Sequence, residues 1–216
     1  MKILLSPAKL LNLDASFSEK QPVFLHEATQ LKKALKSMSL KKTEMFFKLS
    51  HQSALLTQSY YANDQHYKAL ELFSGIAFKT FHDQSQNVSY DDLYILSGLY
   101  GIIQAEDGIS PYRLDLIHPT RGSLIQFWKK RIYQYLKNET IIISCASLEY
   151  EQILDERLPI THVKILKGEQ AAPSVDAKKV RGAFAHHLLL HHQPDGFSYD
   201  GYSYIKKDGM TIYIKK

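Results

Sequence analysis

The chain has 216 residues, 44% of them hydrophobic and 23% charged, with a formal net charge of +5. That length fits one domain with a full core, so neither disulfides nor a structural metal is required, and Cys145, the sole cysteine, excludes an intrachain bridge. The first apolar run stops at Pro7 and Lys9, and no stretch approaches ~18 apolar residues, which argues against a signal peptide or membrane span and for a cytoplasmic protein.

Lys2–Leu5 reads as a short strand, with Ser6-Pro-Ala-Lys9 as the loop that leaves it. Helical patterns follow near 27–37, 40–49 and 51–62, with Ser39 and Ser50 placed to cap the latter two. Leu93–Leu96 is expected to be a buried strand ending in a tight turn, Ser97-Gly-Leu-Tyr-Gly101, and 116–122 a loop. The clearest helix spans about 124–137. Ser123 and Gln126 form a capping box, and Leu124, Trp128, Ile132 and Tyr135 recur at helical spacing, which makes Trp128 a core residue. Ile141–Cys145 is a second buried strand, followed by a helix capped by Ser147. His162–Lys167 is a third strand, and a helix capped by Asp176 reaches about His192. Gly182 inside that helix costs about 1 kcal/mol against alanine, so it predicts close approach of another backbone or a ligand. Tyr202–Ile205 and Met210–Ile214 flank Asp208-Gly209 as a hairpin. The fold class is therefore mixed α/β, a single domain over 1–216 with a partly antiparallel mixed sheet and surrounding helices, not a regular doubly wound fold.

Charge is distributed in blocks. Residues 1–50 carry nine Lys/Arg against four acids, 111–137 six against one, and 161–216 nine against five, while 51–110 and 138–160 are acidic. Such blocks can fold into one basic face, although lysines that only solvate helix surfaces give the same pattern.

Polar residues gather where strands are expected to end: Lys9 after Lys2–Leu5; Ser97, Tyr100, Tyr112 and Arg113 after Leu93–Leu96; Ser144, Ser147, Glu149 and Tyr150 at and after the end of Ile141–Cys145. Ligands in α/β sheets often sit beyond the carboxyl ends of strands, so the group predicts a pocket, though each residue alone reads as a cap or turn. Gly98-x-x-Gly101 could expose backbone N–H groups to a phosphate. Lys178, Lys179 and Arg181 lie in the first turns of a helix, where cations oppose the dipole, and a function is worth considering for them. His186, His187, His191 and His192 lack a third ligand set and read as packing or surface histidines, and no metal or cofactor is expected. Cys145 reads as a buried structural thiol.

Taken in order, Ser6-Pro-Ala-Lys9, Leu96-Ser-Gly-Leu-Tyr-Gly101, Pro111-Tyr-Arg-Leu-Asp115, Phe127-Trp128, Ala146-Ser147 with Glu149-Tyr150, Lys178-Lys-Val-Arg-Gly182 and Gly196-Phe197 resemble the YaaA family of bacterial peroxide-stress-resistance proteins. The resemblance implies a positively charged cleft, a helix-hairpin-helix element, binding to duplex and branched DNA, and a role in peroxide protection, iron limitation and recombinational repair. Carried over position by position, it implies Lys9, Arg113, Lys179 and Arg181 as basic cleft residues and Ser97, Tyr100, Tyr112, Ser147, Glu149 and Tyr150 as polar ones. The chain departs from the family pattern at Leu10, Asn12, Ile76, Phe78, Gln104 and Ser144, where polar or basic groups are expected.

Two functions follow as expectations. The first is a non-enzymatic DNA-binding protein of the peroxide response with little sequence preference, because phosphate contacts give affinity without base choice. The alternative is an enzyme acting on a small anionic substrate such as a nucleotide or nucleoside, with Arg113 on the anion, Glu149 as general base and Lys9 as electrostatic partner.

Overall fold

A computed structural model describes residues 1–118, 120 and 122–216; within the expected 116–122 loop, positions 119 and 121 lie outside the described residues. In chain order the elements are β1 (Lys2–Leu5), α1 (Leu25–Lys36), α2 (Leu40–Phe47), α3 (His51–Ala62), β2 (Tyr67–Lys68), α4 (Ala69–Leu72), α5 (Ile76–His82), β3 (Leu93–Ser97), β4 (Gly101–Gln104) and β5 (Gly108–Ile109). They continue with α6 (Leu124–Leu136), β6 (Ile142–Ser144), α7 (Leu148–Glu151), β7 (Ile160–Lys167), β8 (Gln170–Ala171), α8 (Ser174–His191), β9 (Ser198–Tyr199), β10 (Tyr202–Asp208) and β11 (Thr211–Lys215).

One mixed sheet organises them, in the order β4-β3-β1-β6-β7-β11-β10-β9, with β8 added to β7. The centre is parallel: β1 pairs with β3 and β6, β6 with β7, and β7 with β11. Antiparallel pairs close both flanks, β3 with β4 on one side and β11 with β10 and then β9 on the other. The central strands read as unbroken apolar runs because both sheet faces are covered; Ile3, Leu4, Leu93, Ile95, Leu96 and Ile142 are all fully buried. The carboxyl ends of β1, β3 and β6 consequently lie side by side.

Local signals behave as their chemistry predicts at several points. Ser39 and Ser50 accept from the backbone N–H groups of Lys42 and Ser53, and Ser123 accepts from that of Gln126. Trp128 is buried in α6 and its indole N–H donates to the Gly98 carbonyl at 2.9 Å. Two caps are corrected. α8 begins at Ser174 and not at Asp176, whose carboxylate accepts from the Tyr202 hydroxyl at 2.9 Å. Ser147 precedes α7, but its hydroxyl makes no cap bond; it is taken up by Ser6 instead.

Candidate functional site

The loop after β1, the segment 112–115, the start of α5, the β6–α7 connection and the first half of α8 enclose a cavity of about 330 Å³. Ser6, Lys9, Tyr112, Arg113, Asp115, Ser147, Glu149, Tyr150, Lys178 and Arg181 supply its polar wall. Leu10, Ile76, Phe78 and Leu114 are among its apolar lining. Such a position, beyond the carboxyl ends of parallel strands, is where side chains from separate loops converge without disturbing the sheet.

Two hydrogen bonds join the ends of β1 and β6. The Ser147 N–H donates to Ser6 Oγ at 2.7 Å, and Ser6 Oγ in turn donates to Ser147 Oγ at 3.2 Å. The 112–115 segment is fixed from behind by the β3–β4 turn. Ser97 Oγ accepts from the N–H groups of Leu99 and Tyr100 and bonds the Tyr112 hydroxyl at 2.7 Å. Gly98 packs so closely beneath this segment that a Cβ there would sit 2.1 Å from the Leu114 carbonyl oxygen. Gly101, at φ +73°, leaves room for the Trp128 ring, which a Cβ would approach to 2.5 Å. Both turn glycines are thus used by internal packing, and the expected exposure of their backbone to a phosphate is corrected.

Asp115 is the organising carboxylate. Its Oδ2 pairs with Lys9 Nζ at 3.0 Å, and its Oδ1 lies 3.4 Å from the Tyr150 hydroxyl. Burial pushes the phenols of Tyr112 and Tyr150 well above their ordinary range, so both stay protonated as donors. The Tyr61 hydroxyl donates to the Arg113 carbonyl at 2.6 Å and holds the segment from the α3 side. Among the described residues no carboxylate pairs with Arg113, Lys178 or Arg181. Arg181 Nε is buried without a hydrogen-bond partner. Desolvation lowers the pKa of its guanidinium, partly offset by Cys145 and Glu151. Burial pushes the Cys145 thiol up to about 12, which keeps it an inert wall atom despite the arginine beside it.

The residues expected in the site divide accordingly. Lys9, Tyr112, Arg113, Ser147, Glu149, Tyr150 and Arg181 all line the cavity. Ser97 and Tyr100 do not: Ser97 supports Tyr112, and the Tyr100 hydroxyl accepts the Ser110 N–H at 3.1 Å. Lys179 is also outside it, and Lys178 takes its place. Helical spacing explains the exchange, since Lys178 and Arg181 are three apart and share a face that Lys179 leaves. Asp115 closes the Pro111–Asp115 motif, and in the fold it is the partner of Lys9. Of the departures from the family pattern, Leu10, Ile76 and Phe78 line the cavity and make it more apolar, whereas Asn12, Gln104 and Ser144 lie elsewhere. Among the described residues no group of three His, Cys, Asp or Glu side chains is placed to hold a metal ion. His186 bonds the Gln86 carbonyl at 2.7 Å, and the His187 and His191 rings pack at a tilt of 41° with centroids 4.4 Å apart.

Fold and site together define a mixed α/β protein with a cation-lined cavity at the carboxyl ends of its parallel strands. Residues 1–208 match the family described as peroxide stress protein YaaA, and the chain belongs to that family. Relatives include a UPF0246 protein of Ligilactobacillus salivarius, 28% identical over the full length of both chains. A UPF0246 protein of Legionella pneumophila is 31% identical over 96% of this chain and 95% of its own. Another, from Desulfitobacterium hafniense, is 32% identical over 78% and 74%.

Proposed function

We propose that this chain serves the peroxide response in the cytoplasm by binding duplex or branched DNA through its phosphates, with little sequence preference, in protection and repair. The observation that carries the reading is the convergence of Arg113, Lys178 and Arg181 in one cleft, with no carboxylate partner among the described residues. Cations left unpaired at a strand-end cleft are suited to displace counterions from a phosphate backbone, and guanidinium groups add paired, directional bonds. Further support comes from the neighbouring Lys179 and from α2 and α3, two helices joined by Lys48-Leu-Ser50 with Lys48 in the left-handed conformation. That pair is the candidate for the family's helix-hairpin-helix element, and Lys41 and Lys42 are exposed on it. Gel-shift titrations of the folded protein with a duplex and a branched junction should give binding that falls steeply with salt. Absence of binding at low salt removes the reading.

A second reading, an enzyme acting on a small anion, is favoured by the size of the cavity, which lies at the low end of the roughly 300–1,000 Å³ usual for small-ligand sites. Glu149 at its rim would act as the general base. Product analysis after incubation with nucleotides and nucleosides tests it, and turnover that survives in Glu149→Gln eliminates the assigned base.

A further inference from the structure

The same cavity raises a narrower question, which rests on reading it as an anion site. A duplex can press its phosphates against the cations at the mouth of this cavity, where Lys178 is exposed, but cannot itself enter about 330 Å³, so whatever occupies the interior is a piece of a nucleic acid or a free small molecule. The ionisable wall consists of Lys9, Arg113, Lys178 and Arg181 against Asp115 and Glu149, an excess of two positive charges. A phosphodiester carries one negative charge, whereas a phosphomonoester carries about −1.5 to −2 at neutral pH. The excess therefore complements a monoester. Arg181 adds an independent indication: its side chain lines the cavity, and its Nε is buried with no partner in the protein, whereas buried donors of this kind ordinarily have one. The rest of the lining is unlike a bare phosphate site. Leu10 and Ile76 offer apolar surface, backed by the buried Phe78, Leu114, Tyr112 and Tyr150, of the kind that takes a sugar and base.

We infer that the cavity binds a single nucleotide unit by its phosphomonoester, with Arg113, Lys178 and Arg181 on the phosphate. The unit is either the phosphorylated end of a DNA strand or a free nucleoside monophosphate. On a DNA substrate this would make strand ends and nicks the preferred places of contact.

Calorimetric titration with adenosine 5′-monophosphate and with adenosine tests the phosphate requirement. The monophosphate should bind at least roughly tenfold more tightly, because charge-assisted hydrogen bonds to the phosphate are lost with the nucleoside. Its affinity should also weaken below about pH 6, where the second phosphate proton returns. In parallel, a linear duplex with 5′-phosphate ends is compared with the same duplex bearing 5′-hydroxyl ends and with a sealed circle. Preference for phosphorylated ends assigns the DNA source, and binding of the free monophosphate assigns the free nucleotide. If neither occurs, or if adenosine binds as well as its monophosphate, the inference is overturned. Lys178→Ala, at an exposed position, and Arg181→Gln should each weaken the phosphate-dependent binding about tenfold; if both bind as the parent does, the phosphate lies elsewhere and the inference fails. The sealed circle keeps the two proposals apart, since its binding survives failure of the monoester site and is lost only if general DNA binding is wrong.

Discussion

Arg113 is anchored through its backbone and not through its head. Tyr61 donates to its carbonyl at 2.6 Å, while the guanidinium faces the cavity without an acidic partner among the described residues. It makes no bridge to Asp115, which pairs with Lys9, or to Asp107, which accepts the Gln104 N–H at 2.8 Å. Arg113→Ala should accordingly change stability by no more than about 0.5 kcal/mol while weakening DNA binding and reducing its salt slope by about one. Arg113→Lys should restore the slope but not the affinity, since lysine cannot make the paired bonds. Thermal melts beside gel shifts decide it, and marked destabilisation in Arg113→Ala would return the residue to a structural role. Asp107 gives a separate test. Burial pushes it from 3.8 up to about 6, against the pull of the Gln104 N–H and of Lys20. Between those values the folded chain holds a proton that the unfolded chain has released. Its contribution to stability is therefore greatest in acid, falls as pH rises from about 4 to about 6, and is level above that. Asp107→Asn should flatten this fall, worth on the order of 2 kcal/mol. Denaturant melts of both proteins at pH 4, 5, 6 and 7 measure it, and parallel curves would refute the assignment.

At the scale of elements, the packing of α8 on α5 shapes one side of the cavity. A Cβ on Gly182 would lie 2.0 Å from the Ala77 carbonyl oxygen, so the helices touch backbone to backbone at that point. Gly182→Ala gains about 1 kcal/mol of helix propensity, yet it must push α5 away and with it Ile76 and Phe78. The net cost should be roughly 1–3 kcal/mol, with loss of ligand or DNA binding beyond what unfolding explains. Denaturant melts and binding assays on the same preparation check this, and a stabilised variant with full binding would show that the helices separate freely. Gly182 was legible in the sequence because an interior helical glycine needs a reason. The phase of α8 was not, because its buried residues, Ala177, Val180 and then 182–186, nearly encircle it and leave no single polar face to fix which lysine points inward. α4 and α5 were also missed. They have four and seven residues, too few for a helical period to emerge from apolar runs such as Ile76-Ala-Phe78. The parallel centre was easier: short apolar runs ending in Ser97 and Ser144 announced both the strands and the end of the sheet where polar side chains collect.

Across the whole molecule, each of the three basic stretches of sequence sends a cation to one place. Lys9 comes from the first, Arg113 from the second, and Lys178 and Arg181 from the third. Of the five acids in the stretch 138–160, only Glu149 belongs to the lining. The charge blocks left a basic face and plainly solvated lysines both open, and the order β3-β1-β6 at the sheet centre determines which cations meet. A site assembled from the loop after β1, from 112–115 and from α8 exists only in the folded chain, so an anion bound there must stabilise the entire fold. A ligand at 100 times its dissociation constant adds about 2.7 kcal/mol by mass action. For a domain of this size each kcal/mol raises Tm by roughly 2–4 °C. A saturating duplex oligonucleotide at low salt should therefore raise Tm by about 5–10 °C. The shift should shrink steeply as salt is added, because phosphate contacts release counterions. Lys178→Ala should lower the shift without lowering the Tm of the free protein, since Lys178 is exposed and pairs with no carboxylate among the described residues. Scanning fluorimetry at several salt concentrations, with and without the duplex, reads all three quantities at once. A Tm that does not move at low salt would mean that DNA does not bind the native state, and a shift that high salt leaves intact would mean that phosphates are not what it binds.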